Sequence, residues 1–209
     1  MNRYKTVIGE ATAEQVIEKS KFIAHVKPVC DKEEADSFIA AIREKHREAT
    51  HNVPAMVIGD KFQLQWASDD GEPRGTAGAP IARMLVKEGI TNVVVVVTRY
   101  FGGVKLGTGG LVRAYTNSAK IGVFAAGVCW VKDVCFLVIK TEYTHLNKIQ
   151  NIAENEKFEI KEALYEDKVT LKLAAEPEDV DKIKIVLAGV SAGGFRLISE
   201  TVEMIKNFH

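Results

Sequence analysis

"RYFGGVKLGTGGLVRAY", residues 99–115, follows five consecutive valines, Val93–Val97, and contains five glycines. A β-branched apolar run of this kind fits a strand. The apolar spacing that resumes after the last glycines fits a helix. The unit is therefore strand, glycine loop, helix, with the strand expected over 92–98 and the helix over about 108–127. Glycine here means either a positive φ or a backbone that something must approach closely. Thr108 is placed to cap the helix, and Arg99, Lys105 and Arg113 bring three cations to its start, where free N–H groups and the helix dipole attract anions.

Two phosphate-binding motifs are excluded. A P-loop needs Lys directly after its last glycine, and Gly107 is followed by Thr108. A dinucleotide fingerprint starting at Gly107 and Gly109 would need a third glycine where Val112 stands. The expected site is thus a generic anion or nucleic-acid contact formed by Arg99, Lys105, Gly107, Thr108, Gly109, Gly110 and Arg113. The alternative is that the glycines serve close packing, as the small residues Ala114, Ser118, Gly122, Ala125 and Ala126 along the helix also suggest.

Upstream, "YKTVIGEATAEQVIEKSKFIAHVKPV" reads as one or two long strands with a turn near Gly9. "DKEEADSFIAAIREKH" reads as a helix with an acidic first turn and an apolar face of Phe38, Ile39 and Ile42. "VPAMVIG" and "FQLQWAS" pair as a hairpin, and a helix is expected over about 80–88. Between them lies "SDDGEPRGTAGAP", residues 68–80. Asp69, Asp70 and Glu72 could hold a divalent metal, but the EF-hand series and its closing Glu are missing. Beside Arg74, the three acids fit a self-bonded turn whose carboxylates face the N–H groups starting at Thr76, Ala77 and Gly78. His46 and His51 are five apart rather than four, and no HExxH is present, so His51 and Asn52 read as loop anchors and no metal is expected. No Ser or Cys stands in a nucleophile elbow, which leaves hydrolase chemistry without a carrier.

Downstream, "GVCWVKD", residues 127–133, reads as a link. After it come a strand (133–143), a helix (144–157) with Thr144 as its cap, two strands ("FEIKEALYED" and "KVTLKLAAEP"), a helix from Pro177 to Gly193-Gly194, and a last strand, "FRLISETVEMI". The order β-α-β-β-α-β is that of a ferredoxin-like sandwich. The fold class is α+β, in two domains of residues 1–133 and 134–209.

The 209 residues carry 28 basic and 28 acidic side chains, and the hydrophobic fraction is 46%, an ordinary globular balance. Residues 1–133 hold 18 Lys/Arg against 15 Asp/Glu, and the remainder 10 against 13, too weak a split to mark a nucleic-acid binder by itself. No apolar run is long enough to span a membrane, and Met1–Lys5 lacks a signal-peptide core. Cys30, Cys129 and Cys135 are odd in number and form no CxxC pair, so buried reduced thiols and a cytoplasmic location are expected.

Taken together, "KSKFIA" (19–24), "ATHN" (49–52), "SDDGEPRGTAG" (68–78) and "VVVTRYFGGVKLGTGGLVRAY" (95–115) resemble the IMPACT family, and within it the bacterial YigZ branch. The likeness spans nearly the whole chain. It implies an N-terminal domain with the fold of the second domain of a small-subunit ribosomal protein, shared with domain four of elongation factor G and with the GHMP kinases. It also implies a ferredoxin-like C-terminal domain. The eukaryotic relative restrains a kinase that controls translation initiation, partly through an extra N-terminal domain. This sequence starts at the IMPACT-like part, so kinase regulation is not expected of it. The phosphate loop of the GHMP kinases is not found, and fold alone does not give function. The expected function is non-enzymatic regulation or binding near translation, with RNA or the ribosome as partner. Neither a cofactor nor DNA sequence specificity is expected. The alternative is an enzyme acting on a small molecule or nucleotide with Mg²⁺ at residues 69–72.

Overall fold

The computed structural model describes residues 2–153 and 155–207, and the chain divides into two compact units, Arg3–Trp130 with the last residues, and Val131–Ile205 with the first. In the first unit, strands β1 (Asn2–Val7), β2 (Ala11–Ile17) and β3 (Ser20–Pro28) precede helix α1 (Lys32–Lys45). The opening stretch therefore breaks twice, not once. The second turn falls at Glu18 and Lys19, both at positive φ (46° and 66°), for which non-glycine residues give no sequence signal. Strands β4 (His51–Ile58) and β5 (Leu64–Ala67) form the expected hairpin. Helix α2 (Gly78–Lys87), strand β6 (Val93–Tyr100) and helix α3 (Gly107–Ala126) complete the unit.

The sheet runs β2-β3-β6-β4-β5, and every neighbouring pair is antiparallel. The valine strand lies at its centre and is buried on both faces. Val93, Val95 and Val97 join the core formed with Ile81 and Leu85 of α2 and Ala119 and Val123 of α3. Val94 and Val96 face the other way, into a core with Phe38, Ile39 and Ile42 of α1. Alternation across a strand thus turns one run of identical residues into two cores.

In the second unit, strand β7 (Val128–Thr141) begins well before the expected strand. Residues 127–133, read as a link, hold the start of this strand. Helix α4 (Tyr143–Ala153) contains Thr144 rather than being capped by it, and residues 155–157, expected to be helical, form a turn. Strands β8 (Phe158–Tyr165) and β9 (Val169–Ala175), helix α5 (Val180–Val190) after a 3₁₀ turn at Pro177–Asp179, and strand β10 (Arg196–Asn207) follow. β10 and β9 both pair with β7, and β8 pairs with β9, which is ferredoxin-like order. The core of this unit gathers Leu137, Ile139, Ile149, Leu171, Leu173, Ile183 and Leu187. Cys129 and Cys135 are buried, and burial pushes both thiols up. Cys30 is exposed, contrary to expectation, because it stands in the polar turn before α1. No helix among the described residues is long and apolar enough to cross a membrane.

Candidate functional site

The last turn of β6 places Arg99 opposite Phe22 of β3 and His51 of β4 in the register of the sheet. Cross-strand partners share a face, and this face is the one covered by α3. There Arg99 Nη1 donates to Glu72 Oε1 at 2.6 Å and Nη2 to Ser20 Oγ at 3.3 Å. Tyr115 of α3 donates its hydroxyl to the same Glu72 oxygen at 2.7 Å, and its ring meets Phe22 edge-on at 5.3 Å. His51 Nε2 lies 3.7 Å from that oxygen. Arg99 and Glu72 are 5% and 8% exposed, so this is a charge pair held inside the protein. Burial, and then the bond to Glu72, push the Tyr115 hydroxyl well above its ordinary pKa, which keeps it a donor.

The acidic loop is not one cluster. Asp69 accepts from the backbone N–H groups of Gly75, Ala77 and Gly78 at 2.7–3.1 Å, and so closes the start of α2. Burial alone would raise its pKa, but those three donors and Arg74 outweigh burial and hold it below the usual carboxylate range. Asp70 accepts from the backbone N–H of Asn52 at 2.7 Å and from Arg43 at 3.0 Å. Its carbonyl meets His51 Nδ1 at 2.8 Å. Asn52 donates to the His46 carbonyl at 3.1 Å and accepts from Thr98 at 2.7 Å. Asp69, Asp70 and Glu72 therefore point to three different sets of protein donors, and that arrangement fixes a loop.

The glycine loop takes the opposite side of a cavity of about 450 Å³. His51, Glu72 and Arg99 line one wall, Lys105, Gly107 and Thr108 another, and Pro73, Phe101, Leu106 and Leu111 supply apolar surface. The helix starts a residue earlier than expected. Gly107, at φ 69°, turns the chain into α3, with Leu106 at the cap position and no side-chain cap bond. Thr108 lies within the first turn and does not cap it. The first turn carries no acidic residue either, and among the described residues no side chain caps its N–H groups. Lys105 also lines a neighbouring cleft with Arg113, Glu18 and Asn117. Neither Lys105 nor Arg113 has an ion-pair or hydrogen-bond partner among the described residues, whereas Arg99, grouped with them on sequence, is committed to Glu72. Gly102 has a separate duty, since a Cβ there would lie 2.0 Å from the Lys19 carbonyl oxygen.

Sequence reasoning missed Phe101, Tyr115 and Ser20. An aromatic residue standing between a strand end and two glycines was the available signal for Phe101. Nothing local marked Tyr115 or Ser20, whose roles depend on which elements face each other.

A family model described as the Impact N-terminal domain matches residues 18–123, which include every residue of the site just described. IMPACT family member YvyE of Bacillus subtilis (strain 168) is 41% identical over 181 residues, 87% of this chain and 83% of that protein. The chain belongs to the IMPACT family. Within the family, YigZ of Escherichia coli (strain K12) is 32% identical over 90% of this chain and 93% of its own. A model described as a domain of unknown function (DUF1949) matches residues 139–193, in the ferredoxin-like unit. A crystal structure described as that of a hypothetical protein superposes with TM-score 0.60 and 31% identity, over 95% of this chain and 98% of that one. IMPACT membership thus accounts for both units.

Proposed function

We propose that this IMPACT family protein is a non-enzymatic regulatory or binding protein acting near translation, and that it holds a phosphate of RNA or the ribosome at the start of α3. The observation that carries the reading is the uncapped first turn of α3 beside Lys105, at the rim of a cavity. A helix start with no side-chain cap and no acidic residue in its first turn favours an anion. Lys105 and Arg113 add positive charge without an ion-pair partner among the described residues. The division of Asp69, Asp70 and Glu72 among protein donors argues against their acting together on Mg²⁺. The link to translation, and a cytoplasmic location with it, rests on the family resemblance.

A short structured RNA titrated against the protein at several salt concentrations tests this. Lys105→Ala and Arg113→Ala should each weaken binding whatever the base sequence and reduce the salt slope by about one unit. Their thermal melts should match the wild type, since both side chains lack partners in the fold. Absence of RNA binding even at low salt would remove the reading.

A further inference from the structure

Resting on that reading, we infer that the cavity takes one unstacked nucleotide of single-stranded RNA, its base against Phe101 and its phosphate at Lys105 and the first turn of α3. Phe101 is 46% exposed, a large fraction for an aromatic ring that lines a cavity. The Arg99 guanidinium lies 5.3 Å from its ring centroid and 5.4 Å from that of Phe22, so the ring packs on a buried cation. A half-exposed ring beside cations is what base stacking uses. Leu106, Leu111 and Pro73 give the cavity an apolar lining that a phosphate alone would not need. A volume of about 450 Å³ falls within the ordinary range of small-ligand sites.

A second, independent observation points to an acceptor. Arg99 Nε is buried and has no hydrogen-bond partner among the described residues, while both terminal nitrogens of the same side chain are bonded. A buried N–H left unpaired is costly. Arg99 lines the cavity, and an acceptor brought there by a ligand is what this side chain still lacks. Thr50 and His51 on the same wall add polar groups within a nucleotide's reach.

The test uses the full chain and two fluorescein-labelled probes, a ten-nucleotide oligouridine and a fully paired RNA hairpin, read by anisotropy. The wild type should bind the single strand more tightly than the hairpin. Phe101→Ala should lose roughly tenfold on the single strand and nothing on the hairpin, the scale expected for one lost stacking contact. Phe101→Tyr, which keeps a ring, should behave as wild type and guards against a folding defect. Lys105→Ala should weaken both probes alike. If Lys105→Ala weakens binding while Phe101→Ala matches wild type on both probes, the site holds a phosphate only: the nucleotide inference falls and the proposed function stands. If the wild type binds neither probe, both fall.

Discussion

Glu72 carries more of the site than its neighbours suggest. It accepts from both Arg99 and Tyr115, which are 5% and 0% exposed. Removing one member of a buried pair leaves an uncompensated charge and costs about 3–5 kcal/mol. Glu72→Gln should therefore lower the denaturant midpoint strongly, and a loss under about 1 kcal/mol would mean that the cavity hydrates Arg99. A second residue to watch is His25, 3% exposed, bonded through Nδ1 to Thr12 at 3.2 Å, with its ring centroid 4.8 Å from that of His46 and the two planes tilted by 42°. Burial first, then His46 and Lys45, lower its pKa to about 4. Because the folded value lies below the ordinary 6.5, its contribution is fully present above about pH 6.5 and is lost as pH falls toward 4, a difference on the order of 3 kcal/mol. His25→Asn should flatten the fall in stability across that window. Equal slopes for variant and wild type would assign the acid sensitivity elsewhere.

Helix α3 separates glycines that serve the fold from those with no structural need. At Gly122 a Cβ would meet Ala24 Cβ at 2.8 Å and Val26 Cγ2 at 2.9 Å, so the helix lies directly on β3. Gly109 differs: the nearest atom to a Cβ there is the end of Arg113 at 3.9 Å, and its φ is not positive. Alanine at an exposed helical position is worth up to about 1 kcal/mol over glycine. Gly109→Ala should raise the melting temperature and still weaken RNA binding, because a Cβ would stand where the phosphate approaches. A variant that gains stability and keeps full affinity would remove Gly109 from the site. The elements themselves were largely legible, since the valine run, the α1 stripe and the turn residues around the C-terminal strands are local patterns. Which acid meets which donor was not legible, because Glu72, Arg99 and Tyr115 come from a loop, a strand and a helix that only the folded chain brings together. Thr108 misled for a local reason, as Gly107 turns the chain into the helix one residue earlier.

At the scale of the whole molecule, the two units have separate cores, and all the residues of the site lie in the first. The order of elements in the second unit was readable from alternating apolar patterns and helix punctuation, and the compact units divide at Trp130/Val131, beside the expected boundary at 133, although β7 runs unbroken from Val128 to Thr141. A fragment spanning residues 131–207 should melt cooperatively, as small domains with their own core do, and should not bind RNA. A fragment that binds as tightly as the full chain would move the interface to the ferredoxin-like unit.

The most direct measurement of the proposed anion site at α3 is amide chemical-shift mapping of the full chain during titration with the single-stranded oligouridine. The largest changes should fall on the N–H groups of Thr108, Gly109 and Gly110, with Arg99 Nε–H moving alongside them, and Lys105→Ala should reduce them all together. Changes concentrated in residues 134–209, with the first turn of α3 unmoved, would contradict the account.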